Sequence, residues 1–152
     1  MDIVSHSVKE TTAIGRMIAR KLAVGDIVCL FGSLGAGKTV LVKGIAEGLG
    51  IKRNEIISPT FVLLREHAGR MRFYHFDLYR LSHPKEILGL GYEDYFYGNA
   101  VSVIEWADRL KYLLPKEFLR VELVIKGKGS RLLHIRAAGS RYKRLVHMLR
   151  KK

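Results

Sequence analysis

The feature that most constrains the fold of this chain is an eight-residue segment, GSLGAGKT, at residues 32–39. It matches the pattern G-x-x-x-x-G-K-[ST] at every position, which is typical of a loop that wraps a phosphate group. The continuous apolar run Ile27–Phe31 precedes it and is typical of a buried parallel strand. Residues 38–49 follow with a helical pattern that ends before Gly50. This order of strand, loop and helix predicts an α/β domain with a phosphate-binding loop.

The residue types within the segment suit the binding of ATP with Mg²⁺. Glycines allow the backbone to turn so tightly that several N–H groups point at phosphate oxygens, and the following helix adds the positive end of its dipole. Lys38 is expected to meet the β- and γ-phosphates, and the Thr39 hydroxyl to bind Mg²⁺. The predicted nucleotide-binding residues of the loop are Gly32, Ser33, Leu34, Gly35, Ala36, Gly37, Lys38 and Thr39. The alternative is a glycine-rich turn without a ligand.

Two acidic residues follow predicted strands and are candidates for holding Mg²⁺ beside the loop. Asp77 ends the strand predicted over residues 71–76, and Glu105 ends the strand predicted over residues 100–104. A phosphate-binding loop that uses Mg²⁺ needs an acid at the end of a neighbouring strand. The alternative for each acid is the capping of a turn or helix.

Thr60 and Trp106 are further candidates. Thr60 follows Ser58 and Pro59 in the first connection after the loop helix, where a threonine can sense the γ-phosphate and Mg²⁺ in the manner of a switch segment. The alternative is an ordinary threonine at the start of a strand. Trp106 directly follows Glu105, and its side chain can stack on a base or on a partner, or pack in the core.

The remaining pattern predicts a three-layer α/β domain of the P-loop NTPase type. Helices predicted over residues 8–23, 38–49 and 139–150 flank a mostly parallel sheet. Antiparallel hairpins predicted within residues 60–76 and 119–137 extend that sheet. We find no repeat, low-complexity segment or linker, so residues 1–152 are expected to form a single domain.

Composition places the chain in a reducing, aqueous compartment. The single cysteine, Cys29, lies in an apolar stretch and excludes a disulfide framework. The first ten residues are polar and lack the apolar region of a secretory signal, and no apolar run of about 18 residues is present to span a membrane. A cytoplasmic protein is therefore expected.

The positive charge of the chain is concentrated at its C-terminal end. The net charge is +13, and residues 126–152 contain ten lysines and arginines and no acid. The other residues hold 17 bases and all 14 acids, so they are nearly balanced. A basic tail on a nearly neutral domain indicates a polyanionic partner such as tRNA, or an acidic protein surface. The alternative is a solvated helix face that aids solubility.

Five segments occur in an order that resembles the TsaE (YjeE) family of bacterial ATPases. They are the loop at residues 32–39, the SPT sequence at 58–60, HFDLYRL at 75–81, GYEDYF at 91–96 and Glu105 with Trp106. The resemblance runs from about residue 7 to residue 125. HFDLYRL is far more specific than the loop alone.

The resemblance implies an Mg²⁺-dependent ATPase that acts with the TsaB and TsaD proteins in making threonylcarbamoyladenosine (t6A) in tRNA. Such a chain would reset or activate the TsaB–TsaD transferase without transferring the group itself. The resemblance further implies that Thr39 and Glu105 hold Mg²⁺, with Asp77 as a second acid. Thr60 maps onto a switch-like threonine of the family, and Thr11 onto contacts near the adenine. Lys38, Thr60, Asp77 and Glu105 are thus the predicted catalytic residues.

Two positions depart from the family pattern, and two other functions remain possible on the residues alone. Ser33 stands where the family usually has an acid, and Val40 where a second threonine is common. One alternative is a small-molecule kinase, although few residues are left for an acceptor pocket and lid. The other is a nucleotide-sensing, RNA-binding module, which the basic tail favours.

Overall fold

The computed structural model describes residues 1–57 and 61–151. Its seven strands are β1 (Asp2–Ser5), β2 (Ile27–Phe31), β3 (Leu64–Ala68), β4 (Arg72–Asp77), β5 (Val101–Glu105), β6 (Phe118–Gly127) and β7 (Ser130–Ala138). Its α-helices are α1 (Val8–Ala19), α2 (Lys38–Gly48), α3 (Lys85–Leu88), α4 (Tyr92–Phe96) and α5 (Ser140–Arg150). Two 3₁₀ segments lie at Arg53–Glu55 and Ala107–Leu113. No helix in these residues is long and apolar enough to cross a membrane.

All seven strands form one sheet in the order β1-β7-β6-β2-β5-β4-β3. The four central strands, β6, β2, β5 and β4, pair in parallel, whereas β7 and β3 pair antiparallel to their neighbours. β1 is antiparallel to β7, so five strands point in one direction and two in the other. Every residue of β2 and β5 is buried, as expected for central parallel strands covered on both faces. The mostly parallel sheet with antiparallel extensions is confirmed.

Alternate residues of the strands enter two separate cores, one on each face of the sheet. Val28 and Leu30 pack with α1, α2 and α5, whereas Cys29 and Phe31 pack on the other face with α3, α4 and the second 3₁₀ segment. The period of two follows from the pleat of a strand. The three long helices thus share one face, the short helices cover the other, and the predicted three layers are confirmed.

Two glycines allow α1 and the loop helix α2 to pack closely. A Cβ atom at Gly15 would lie 2.6 Å from the Leu41 carbonyl oxygen, and one at Gly44 would collide with the Thr12 carbonyl. Neither position tolerates a side chain unless the helices move apart. This contact holds α2, and with it the end of the phosphate loop, against α1.

Some predicted boundaries were wrong. The first hairpin strand, expected over residues 60–64, lies at Leu64–Ala68. Leu63 has φ of 63°, a left-handed conformation that an extended strand excludes. The helix expected over residues 8–23 ends at Ala19, and the turn after it still buries Leu22, which explains the longer apolar pattern. The short elements β1 and α4 were not expected.

Candidate nucleotide-binding site

The phosphate-binding loop leaves the carboxyl end of the buried strand β2 and leads into α2. Gly32, Gly35 and Gly37 have φ of 139°, 77° and 101°, values that L side chains rarely adopt. A Cβ atom at Gly32 would also lie 2.6 Å from the Leu123 carbonyl oxygen of β6. The backbone path of the loop therefore needs glycine at these positions, as the sequence pattern indicates.

Lys38 lies folded back against its own loop. Its ammonium donates to the carbonyl oxygens of Gly32, at 2.6 Å, and Ser33, at 2.9 Å. It also lies 3.8 Å from the centroid of the Trp106 ring, a cation–π contact. Burial lowers the pKa of Lys38, and the negative charges of Glu105, Asp108 and Asp77 oppose that shift. The lysine is thus held inside the site by carbonyl and aromatic partners that a phosphate can replace.

Trp106 reaches the lysine because its own backbone is left-handed, with φ of 58° and ψ of 43°. A residue with a Cβ atom pays roughly 1–2 kcal/mol for this conformation. The ring also packs on Tyr79, with 5.0 Å between ring centroids. Trp106 therefore lines the loop cavity and does not belong wholly to the core. Strain of this kind is common at functional sites.

Glu105 is the point where three elements meet. The Thr39 hydroxyl of α2 donates to both of its carboxylate oxygens, at 3.1 and 3.0 Å. Nε2 of His75, on β4, lies 2.7 Å from Oε1 of the same carboxylate. The Glu105 side chain is 2% exposed and that of His75 is fully buried, so the His75–Glu105 contact is shielded from water, whereas the Thr39–Glu105 contact is partly buried.

Asp77 lies directly beside Glu105 at the end of the neighbouring strand. The two residues are register partners in the parallel β4–β5 pair, and Asp77 is also buried. One of its carboxylate oxygens accepts from the backbone N–H of Tyr79 at 3.0 Å. Both acids suggested by the sequence therefore reach the same cavity as Thr39.

A cavity of about 400 Å³ joins the loop to these acids. Eight of the predicted site residues line it: Leu34, Gly35, Gly37, Lys38, Thr39, Asp77, Glu105 and Trp106. Val40 lines it as well. The lining brings oxygen ligands, a lysine and loop amides together around one space, a combination that suits a phosphate chain with a divalent cation.

Arg131 lines the cavity but was counted in the sequence only as part of the basic tail. It is the second residue of β7, and its guanidinium donates to the carbonyl oxygens of Ala36, at 2.9 Å, and Gly35, at 3.1 Å. Nη1 of the same side chain donates to the Ser130 carbonyl at 2.9 Å. Arg131 thus ties the outer wall of the loop to the β6–β7 hairpin. No local motif marks it, because the contact spans more than ninety residues.

The other predicted site residues lie apart from the cavity or outside the described residues. Thr11 does not line the cavity, and its buried hydroxyl bonds to the Ser5 hydroxyl at 2.7 Å and to the Ser7 carbonyl at 3.2 Å. Ser33 contributes its carbonyl to Lys38, as described above, and Ala36 is buried. Thr60, with Ser58 and Pro59, lies outside the described residues.

Comparison with known proteins gives a consistent result. Residues 5–133 match the family model described as threonylcarbamoyl adenosine biosynthesis protein TsaE. The tRNA threonylcarbamoyladenosine biosynthesis protein TsaE of Treponema pallidum is 42% identical over 131 residues, which is 86% of this chain and 96% of that protein. The protein of the same name from Bacillus subtilis is 41% identical over 142 residues, 93% of this chain and 88% of that one.

A solved structure agrees with both. The crystal structure of YdiB from Bacillus subtilis superposes with a TM-score of 0.85 at 36% identity, and the match covers 98% of this chain and 93% of that one. The matched family, the relatives and the shared architecture all concern the segment that carries the phosphate-binding loop and the two acids. This chain belongs to the TsaE family, which takes part in the biosynthesis of threonylcarbamoyladenosine in tRNA.

Proposed function

We propose that this chain is the component of the bacterial t6A machinery that binds ATP with Mg²⁺ and hydrolyses it. The observation that carries the proposal is the meeting of Thr39, on the loop helix, with Glu105, at the end of a parallel strand. This is the arrangement in which P-loop proteins hold Mg²⁺. Membership of the TsaE family supplies the pathway.

The oxygen atoms around the cavity fit Mg²⁺. The Thr39 hydroxyl and the carboxylates of Glu105 and Asp77 are hard ligands of the kind that Mg²⁺ prefers, and all three residues line the same cavity. We infer that Thr39 and Glu105 hold the ion and that Asp77 stands beside them. Mg²⁺ held by these residues would supply positive charge that offsets the negative charge of the phosphates.

Lys38 and the loop amides would bind the triphosphate itself. The lysine exchanges its two carbonyl partners, at Gly32 and Ser33, for the β- and γ-phosphate oxygens, to which a cation binds more strongly. The loop amides and the N-terminus of α2 add further positive potential. Thr60 as a sensor of the γ-phosphate, and Thr11 as a contact near the adenine, stay predictions of the family resemblance.

The partners proposed for this reaction are TsaB and TsaD. Among the described residues, Arg131 is the one arginine that lines the cavity, and its donors are occupied by carbonyl groups of the loop and hairpin. A P-loop site without a free arginine hydrolyses slowly until a partner completes it. We therefore propose weak activity alone and stimulation by the TsaB–TsaD transferase.

The proposal also covers the chain as a whole. All seven strands belong to one sheet, which supports a single domain over residues 1–152. A role in tRNA modification supports the cytoplasmic location expected from the sequence.

The test is ATP hydrolysis measured with and without purified TsaB and TsaD, in the presence and absence of Mg²⁺. Lys38→Ala and Glu105→Gln should each lower the stimulated rate by about 100-fold or more, because the first removes a positive charge from the phosphates and the second removes the charge of the proposed Mg²⁺ ligand. Two control variants remove the same kinds of charge away from the cavity: Lys43→Ala on α2 and Glu93→Gln on α4. Both should leave the rate unchanged.

Two results would contradict the proposal. One is hydrolysis that persists in both Lys38→Ala and Glu105→Gln. The other is the appearance of a phosphorylated small molecule in place of free phosphate, which would identify a kinase.

A further inference from the structure

The C-terminal helix α5 has two exposed flanks on either side of its buried stripe. Tyr142, Leu145, Val146 and Leu149 form the stripe and pack against the sheet. Lys143, His147 and Arg150 follow one another at intervals of four and three residues, so they lie on one flank. Arg141, Arg144 and Met148 share the opposite flank.

The first flank borders a cavity of about 320 Å³ between α5 and β7, which we call the basic cavity. Lys143, His147 and Arg150 line it from the helix, and Arg136 lines it from β7. Among the residues that the structure describes, no aspartate or glutamate lines it. Four basic side chains therefore border one concave space.

The charge of the basic cavity is mostly uncompensated. Arg136 forms an ion pair with Asp2 at 2.6 Å, and that aspartate also contacts His134. Lys143 and Arg150 form no ion pair with any residue in the described ranges 1–57 and 61–151. Free cations that border a concave surface concentrate anions there.

The opposite flank differs in that an aspartate lines its cavity. Arg141 is paired with the buried carboxylate of Asp26 at 2.8 Å, and Asp26 lines the cavity on that side. Arg144 and Lys21 also line it. Lys21 and Arg144 form no ion pair among the described residues, so the two flanks differ in the aspartate that lines only the second cavity, and the second flank offers a matched control for the first.

We propose that the basic cavity binds the phosphodiester backbone of tRNA. The inference rests on the proposed role in tRNA modification and adds a second binding site to it. Arginine and lysine without acidic neighbours are typical of nucleic-acid interfaces, whereas protein interfaces need apolar anchors and are depleted in lysine. Met148 is the large apolar residue of α5 that is exposed, and it lies on the other flank.

The basic cavity and the nucleotide cavity share no lining residue, so each can be altered alone. The nucleotide loop follows β2, whereas the basic cavity lies at β7, two strands away in the sheet. A protein that binds ATP at one place and tRNA at another can contact the RNA while its nucleotide site faces a partner enzyme.

The experiment compares two double variants that each remove two positive charges. Lys143→Gln/Arg150→Gln alters the basic cavity, and Lys21→Gln/Arg144→Gln alters the opposite flank. Binding of a fluorescently labelled, unmodified tRNA transcript is measured over a series of salt concentrations. Loss of two phosphate contacts should weaken binding about tenfold or more and lower the slope of log affinity against log salt by about two. The control should change affinity by less than about threefold.

ATP binding and thermal unfolding of the same variants separate this inference from the nucleotide site. Both doubles are expected to keep the ATP affinity and the melting temperature of the parent, since all four side chains are exposed and away from the loop. If the tRNA affinity of the basic-cavity double is unchanged while ATP hydrolysis is intact, the tRNA-binding role of the basic cavity is refuted and the proposed ATPase function is not affected.

Three outcomes would overturn the inference. The first is no binding of tRNA by the parent chain at low salt. The second is an equal change in affinity in the two doubles, which would indicate unspecific attraction to a basic protein. The third is unchanged tRNA affinity together with lost binding of TsaB–TsaD, which would assign the cavity to an acidic protein surface.

Discussion

Among single residues, His75 has the closest link to the proposed metal ligand Glu105. Its Nε2 lies 2.7 Å from the carboxylate, whereas its Nδ1 is buried and has no hydrogen-bond partner in the described part of the chain. With its proton on Nε2, the imidazole donates a hydrogen bond to Glu105, and only the lone pair of Nδ1 is left without a donor. Such a partner fixes the direction of a ligating carboxylate.

Replacement of His75 by alanine should lower the partner-stimulated rate of ATP hydrolysis by about 10–100-fold. The reason is that Glu105 would lose the bond that orients it and would gain a cavity beside it. His75→Gln, which can restore one N–H donor, should recover part of the rate. The rate and the Mg²⁺ concentration for half-maximal activity are the measurements, and His67→Ala on β3 is the control. An unchanged Mg²⁺ requirement in His75→Ala would contradict this role.

Arg131 acts on the loop from a strand that is remote in sequence. Arg131→Ala should raise the KM for ATP about tenfold, since two loop carbonyls lose their donors and the loop is less well held. Lys128→Ala, which removes a charge from the tip of the same hairpin without contacting the loop, should leave the KM unchanged. Steady-state hydrolysis with TsaB and TsaD measures both. An equal rise in KM in the two variants would show that the loss of positive charge, and not the loss of the loop contacts, weakens ATP binding.

At the scale of elements, the α1–α2 contact sets the position of the loop helix. Gly44→Ala should lower the free energy of unfolding by about 1–3 kcal/mol, because its Cβ atom would collide with the Thr12 carbonyl in α1. Gly89→Ala makes the same chemical change where the nearest atom is 3.9 Å away and φ is −66°, so it should be nearly neutral. Urea unfolding followed by circular dichroism compares the two, and a neutral Gly44→Ala would show that the helices can separate without cost.

The docking of α5 onto the sheet depends on Tyr142. Its hydroxyl accepts the backbone N–H of Ile27 at 2.7 Å, and burial raises the pKa of Tyr142 to about 12. The folded protein therefore keeps this phenol protonated at a pH where the unfolded chain, with a pKa near 10, ionises. The stability that Tyr142 contributes is complete below about pH 10 and falls as the pH rises towards 12.

Tyr142→Phe should consequently lose about 1–3 kcal/mol of stability at neutral pH, because the N–H of Ile27 is left without an acceptor. The difference in unfolding free energy between parent and variant should become smaller between about pH 10 and pH 12. Unfolding free energies measured at several pH values provide the test. A constant gap would mean that the phenol ionises in the folded protein as it does in the unfolded chain.

At the scale of the whole molecule, the strand order explains how distant segments form one site. β2 lies between β6 and β5, and β4 lies beyond β5. The carboxyl ends of β2, β5 and β4 therefore meet at one edge, where parallel sheets commonly bind ligands. The loop after β2, Glu105 of β5 and Asp77 of β4 all reach the cavity for this reason.

Much of this was predictable because the signals are local. The loop pattern, the buried runs of β2 and β5 and the acid that ends each neighbouring strand depend on residues close together in the chain. Hydrophobic spacing likewise predicted α5 and the β6–β7 hairpin. A short segment such as the glycine-rich loop can be recognised from its own residues, because its backbone conformation requires glycine at particular positions.

Other features were decided only by the tertiary structure. The contacts of His75 with Glu105, and of Arg131 with the loop, join strands whose order and register no local pattern encodes. The short strand β1 forms because β7 offers it an edge, and the first hairpin starts late because Leu63 turns left-handed. Long-range pairing settles such features, since a side chain finds its partner only after the sheet has assembled.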